Sequence, residues 1–514
     1  MALLLQACNP STQAQSNATA AQPGVAEASA KKAPNLVIIY ADDLGYGDVG
    51  SYGATGVATP NIDALAANGL KLTDAHASAA TCTPSRYSLL TGEHGFRSKA
   101  AILPGDAPLL ISPSQPTLPK LLKQAGYASA VIGKWHLGLG DGQVDWNQAV
   151  KPGPLELGFD YSFLLPATGD RVPTVYLENH HVVGLEQADP LEVNYQHNIG
   201  QRPTGLDHPE LLRMKADPQH SNTIVNGVSR IGSMSGGEAA YWVDEEFADI
   251  FTEKAVNFMR AHKDQPFFLF HSMHDIHVPR LPNPRFKGKS SMGPRGDAIA
   301  QLDWITGQII KELNTLGIAD NTIVMFTSDN GPVLHDGYED QAVELVGDHR
   351  PAGVFRGGKY SAYEGGTRVP TILYWPGTIA PRESAALVSQ LDIYATMADI
   401  LGLKLADDEA IDSVPLTDVW LGNSDQGREW LVKESVGTLS LRHNNWKYIR
   451  PFQGESLPDW LHNKDVETGL QHEQQLYNLS NDAGETTNLA VNESSQLAQM
   501  QTRMEQIVQQ GYRP

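Results

Sequence analysis

One of the two cysteines in this chain of 514 residues, Cys82, lies in the polar stretch "TCTPSRYSLLTG" beside a proline and an arginine. The other, Cys8, sits in a separate leader segment, which makes a disulfide between them implausible. Cys82 is then a buried small residue, a metal ligand, a reactive thiol, or a residue destined for conversion into another group. Elsewhere, short apolar runs end abruptly in chemistry-bearing residues. "NLVIIYADDLG" ends in Asp42 and Asp43, "ASAVIGKWHLG" in Lys134 and His136, "PFFLFHSMHDIHVP" in His277, and "NTIVMFTSDNG" in Asp329 and Asn330. Three carboxylates and an amide oxygen make a hard oxygen set suited to Ca²⁺ or Mg²⁺. Two adjacent aspartates at one strand end repel each other unless a cation lies between them. Zinc fits less well, because there is no second thiolate and the histidines follow different strands. Arg86, Lys134, His136, His277 and Lys359 add a cationic set. Beside a divalent metal, that set matches a tetrahedral oxyanion such as sulfate or phosphate.

These residues need a scaffold that gathers strand ends. Runs that are apolar on both faces predict central strands of a parallel sheet, and helix-like stretches such as "EEFADIFTEKAVNFMRAH" alternate with them. The expected fold is α/β, a large mixed and mostly parallel sheet sandwiched by helices. In such sheets ligands bind outside the carboxyl ends of the strands, which is where the polar residues fall. After about residue 405 the pattern weakens to short antiparallel strands and an amphipathic helix, "SSQLAQMQTRMEQIVQQ". The expected division is therefore 1–33 leader and tether, 34–405 catalytic domain, and 406–514 a smaller C-terminal α+β subdomain.

The formal net charge of −21 makes nucleic acid or an anionic membrane surface an improbable partner. Leu3 to Leu5 followed by Gln6, Ala7 and Cys8 resemble the end of a bacterial lipoprotein signal, and residues 9–32 read as a flexible tether. The expectation is an exported protein, periplasmic or held at the cell envelope by a lipid on Cys8, without a transmembrane segment.

"CTPSR" fits the pattern C-x-P-x-R. With "YADDLGYGDVG", "GYASAVIGKWHLG", "TSDNG" and "EGGTRVP" in order along residues 34–402, the chain resembles the formylglycine-dependent sulfatases of the alkaline phosphatase superfamily. The resemblance implies that a formylglycine-generating or anaerobic sulfatase-maturating enzyme oxidises Cys82 to Cα-formylglycine. The aldehyde's hydrate is the implied nucleophile: one hydroxyl attacks sulfur, and loss of the other's proton expels sulfate and restores the aldehyde. It further implies one Ca²⁺ per chain, Mg²⁺ being less suited, held by Asp42, Asp43, Asp329, Asn330 and the hydrate on residue 82. Asp329 is the implied base, Arg86 steadies the hydrate, and Lys134 and Lys359 clamp the sulfate. His277 is the implied acid for the leaving alkoxide, and His136 takes the second proton. The expected substrate is a sulfated carbohydrate, with a galactose type such as a carrageenan as the expected sugar. Candidate sugar contacts are His94 and Arg97 in "GEHGFRS", and Asp170, Arg171, His180 and His181 in the segment after "LGFDYSF". Two other readings stand beside this one. A phosphate or phosphonate monoester hydrolase of the same superfamily would call for a second metal set, which is not apparent. An inactive glycan-binding scaffold would have lost the nucleophile or the cations, and all are present.

Overall fold

In the computed structural model, residues 33–462, 464 and 466–512 are described. Cys8 and the leader lie outside them. The strands of the main sheet are β1 (Asn35–Ala41), β2 (Leu70–Leu72), β3 (Ala128–Lys134), β4 (Tyr161–Leu165), β5 (Leu177–Glu178), β6 (His181–Val182), β7 (Phe267–Ser272), β8 (Thr322–Ser328), β9 (Thr371–Tyr374) and β10 (Arg382–Ser384). They run in the order β10-β2-β9-β8-β1-β7-β3-β4-β5-β6. The five central strands, β8 to β4, are parallel, and antiparallel pairs follow on both sides.

Both faces of β1 are buried because its residues alternate between two cores. Leu36, Ile38 and Tyr40 join Leu89, Leu121 and Met397, from α2 (Cys82–Thr91), α3 (Leu118–Gln124) and α6 (Asp392–Ile400). Val37 and Ile39 join Leu65, Phe251 and Ile305, from α1 (Pro60–Asn68), α4 (Phe247–His262) and α5 (Gly293–Thr315). A helix layer on each side is what a sheet apolar on both faces requires.

The four strands that carry the site residues, β8, β1, β7 and β3, are consecutive in the sheet. Ala41 lies beside Ser328 and Ser272 beside Gly133, so the strands end nearly level. Gly133 (φ 113°) allows that close approach, since a Cβ there would sit 1.8 Å from the Ser272 carbonyl oxygen. A second sheet, β11 (Trp430–Glu434), β12 (Leu439–His443), β13 (Trp446–Ile449) and β14 (Gln475–Asn478), is antiparallel. Helix α7 (Ser494–Gln510) packs on it through Met500, Met504 and Ile507, against Val432, Leu441 and Leu476. The fold class expected from the sequence is the one observed.

Candidate active site

The carboxyl ends of the four central strands meet at Cys82. Asp42 and Asp43 follow β1 directly, Asp329 and Asn330 follow β8, Lys134 ends β3, and His277 lies in the loop after β7. All are buried. Cys82 opens α2, a helix in which every residue is buried, and Ser85 braces the turn by hydrogen bonding Ala79. One oxygen from each of Asp42 and Asp329 lies within 4.8 Å of the Cys82 sulfur, and Asp42, Asp43 and His277 form a second such triad.

The cations are already engaged with this acidic set. Lys134 Nζ donates to Asp42 Oδ2 at 2.5 Å, and Lys359 Nζ to Asp43 Oδ2 at 2.9 Å. Arg86 donates to Asp329 Oδ2 through Nε at 3.1 Å and Nη2 at 2.8 Å. Asn330 Nδ2 donates to Asp43 Oδ1 at 2.8 Å, turning the amide oxygen the other way. Burial, with the charge of Asp329 next, pushes Asp42 well above the usual carboxylate range. Burial also raises Asp43, against the opposing charge of Lys359 and with the charges of Asp336 and Asp329 adding to the rise. Asp329 differs, because Arg86, Lys134 and Lys359 together outweigh its burial and hold it below the usual range.

The donor set fits a hard cation. Asp42 Oδ1 and Asn330 Oδ1 are buried oxygens with no hydrogen-bond partner, a costly arrangement unless something else meets them. Two carboxyls pushed upward by burial and by each other express the same demand for positive charge.

The two histidines present different nitrogens. His277 Nδ1 is 2.7 Å from the Val278 carbonyl and so carries the proton, leaving Nε2 at 3.8 Å from Asp43 Oδ2. His136 Nε2 donates to the Leu103 carbonyl at 2.9 Å, leaving buried Nδ1 unpartnered. Burial and then the lysine charges, Lys134 for His136 and Lys359 first for His277, lower both histidines well below the usual imidazole range.

A cavity of about 490 Å³ opens above Cys82, lined by His136, His277 and Lys359 and, beyond them, by Asp170, Arg171, His220, Asp336, Trp460 and Lys464. Asp170 and Arg171 are paired at 2.7 Å in its wall. The other four candidate sugar contacts lie elsewhere. His94 is fully buried behind the wall and stacks on Phe96. Arg97 is chelated by Asp412 at 2.6 and 2.7 Å and also donates to the Ile507 and Val508 carbonyls of α7. His180 binds Glu156 at 3.0 Å, and His181 is exposed on β6 at the outer edge of the sheet. None of the four lines the cavity: His94, Arg97 and His180 are placed by other parts of the chain, and His181 faces solvent.

His220, Asp336 and Lys464 were not singled out from the sequence. Asp336 Oδ2 accepts from Lys359 at 2.9 Å and its other oxygen pairs with Lys464 at 3.2 Å, while His220 Nε2 faces Asp170 at 3.4 Å. They lie in irregular loops with no periodicity to mark them. A buried acid six residues past Asn330, "DNGPVLHD", was the available signal.

The sequence pattern of the Sulfatase family matches residues 34–403. The chain belongs to that family. This sulfatase is 49% identical over 460 residues to an N-acetylgalactosamine-6-O-sulfatase of Bacteroides thetaiotaomicron, covering 89% of each chain. It is 31% identical to human arylsulfatase A over 89% of this chain and 83% of that one. A solved structure from work on the metabolism of multiple glycosaminoglycans by Bacteroides thetaiotaomicron superposes with TM-score 0.91 at 47% identity, covering 93% of this chain and 99% of that one. The protein is therefore a sulfuric ester hydrolase of the alkaline phosphatase-like fold.

Proposed function

We propose that this sulfatase hydrolyses the 6-O-sulfate ester of N-acetylgalactosamine in a sulfated glycan. The observation that carries the reading is the 49% identity, over 89% of both chains, to a protein of that specificity. The sugar stays of galactose type, as the sequence led us to expect, and N-acetylgalactosamine takes the place of a carrageenan unit for that reason.

Oxidised to formylglycine and hydrated, residue 82 supplies a geminal diol as nucleophile, and Ca²⁺ at Asp42, Asp43, Asp329 and Asn330 supplies positive charge to the reacting oxygens. Asp329 is the base, because its surroundings keep it ionised beside residue 82. Arg86 fixes that carboxylate through two nitrogens. Lys134 and Lys359 hold two ammonium groups over the site, where they match the charge of the transferring sulfuryl group. His277 Nε2 protonates the departing sugar oxygen, with the ring set by the Nδ1 bond to Val278. His136 Nδ1, the free acceptor on that ring, takes the second proton. The protein works in the bacterial envelope after maturation of Cys82, and Cys8 carries the lipid anchor.

Sulfate release from the 3-, 4- and 6-sulfates of N-acetylgalactosamine, followed by ion chromatography, tests this. Release from the 6-sulfate alone is expected. Release from none of the three, with matured protein and calcium, would overturn the substrate assignment.

A further inference from the structure

Glu434 closes β11 at the wall of the active-site cavity. Its backbone is pinned there: the N–H donates to the Ser78 carbonyl at 2.9 Å, and its carbonyl accepts from Ala80 N–H at 2.8 Å. The second sheet thus runs alongside the segment that leads into Cys82 and delivers one acidic side chain to the wall. That residue is 7% exposed, and its Oε1 is buried without a hydrogen-bond partner. Its nearest polar side chain is His94, with Nδ1 3.5 Å from Oε1 and neither ring nitrogen hydrogen-bonded.

The remaining acids of the cavity wall are neutralised. Asp170 pairs with Arg171, and Asp336 with Lys359 and Lys464. Among the described residues, no lysine or arginine lies within ion-pair distance of Glu434. Oε1 is shut in against His94, so Oε2 is the carboxylate oxygen left to meet a donor that a ligand brings. The same charge makes the position hostile to an anionic substituent, so one residue both attracts and excludes.

We propose that Glu434 is a specificity-determining residue: its carboxylate accepts an N–H or O–H of the sugar ring that carries the reacting ester, and excludes a ring bearing a second sulfate. His94 is its positioning residue, stacked from behind on Phe96. The assignment rests on the N-acetylgalactosamine 6-sulfate reading and deepens it to singly sulfated rings.

The test compares kcat/KM for N-acetylgalactosamine 6-sulfate and N-acetylgalactosamine 4,6-disulfate in the wild type and in Glu434→Gln. The wild type is expected to prefer the monosulfate. Glu434→Gln should narrow that preference by about tenfold or more, lowering the monosulfate rate and raising the disulfate rate. A gain on the disulfate cannot come from partial unfolding. Should the glutamine variant lack a native melting transition, the same ratio in Glu434→Ala decides. A wild type that prefers the disulfate, or a variant whose two rates fall in parallel or do not move, overturns this assignment alone. A wild type that cleaves neither sugar overturns the proposed function, and this assignment falls with it.

Discussion

Arg86 spends its whole guanidinium inside the protein, on Asp329, on the Lys134 carbonyl and on the Ser272 hydroxyl. It therefore sets the charge state of a neighbour and the geometry of two strand ends at once. Lysine keeps the charge and loses the fork, so Arg86→Lys leaves Asp329 partly unmet. We expect that variant to fold with a loss of about 3 kcal/mol or more and to lose most of its turnover, measured by urea unfolding and sulfate release. His277 has a narrower part. His277→Ala should slow cleavage of a sugar sulfate by about a hundredfold or more, because an alkoxide needs its proton. On 4-nitrophenyl sulfate, whose phenolate departs unaided, the loss should stay below about tenfold. Equal losses on both substrates would remove His277 from the role of acid. His277 was marked in the sequence because it trails a both-face apolar run, and Arg86 because it sits in the C-x-P-x-R pattern. His94 and Arg97 misled because a cluster of polar residues looks the same whether it meets a ligand or another part of the chain.

The four consecutive parallel strands were readable as elements, since nothing but a covered sheet buries both faces of "NLVIIY". What holds the second sheet to the first was not readable. Glu364, in "EGGTRVP", is fully buried and meets Lys433, Arg442 at 2.7 Å and Lys447 at 3.3 Å, all from the second sheet. His76 and Asp74, just past β2, extend the cluster. The sequence marked this stretch only as one motif among several, and its glutamate has partners about 70 to 80 residues away. Glu364→Gln takes the carboxylate from Lys433 and half the partners from Arg442, which keeps Asp74, and Lys447, which keeps Glu485, and should cost about 3–5 kcal/mol in chemical denaturation. The pH dependence has a defined sign. Burial raises Glu364, but Arg442, Lys433 and Lys447 outweigh it and hold the carboxyl well below its ordinary range. A depressed carboxyl gives stability that is fully present above its unfolded pKa, about 4.3, and is lost as pH falls below it. The wild type should therefore lose stability on acidification more steeply than Glu364→Gln, measured by melting temperature against pH. Parallel curves would show that this carboxyl titrates alike in the folded and unfolded chains.

Across the whole molecule a net charge of −21 surrounds a pocket that must bind an anion, and the opposition is resolved locally. Arg86, Lys134 and Lys359 supply the positive charge, and the buried, unpartnered Asp42 Oδ1 and Asn330 Oδ1 are candidate ligands for a cation. Calcium at a hundred times its dissociation constant should then add about 2.7 kcal/mol to stability, seen as a rise in melting temperature that EDTA reverses and Asp42→Asn abolishes. No shift in either protein would argue against a cation at these ligands. Asp42, Asp43, Lys134, Asp329 and Asn330 were marked in the sequence because they end or follow recognisable strands. The far wall was not, because Glu434, at the end of β11, and Trp460 and Lys464, in a stretch without a period, come from more than 350 residues beyond Cys82. The central claim is that residue 82 performs the chemistry. Its most direct test is the rate of sulfate release from N-acetylgalactosamine 6-sulfate by matured wild type and Cys82→Ala, both with saturating calcium. The account predicts turnover by the wild type and none above background for the alanine variant; undiminished release by Cys82→Ala would contradict it.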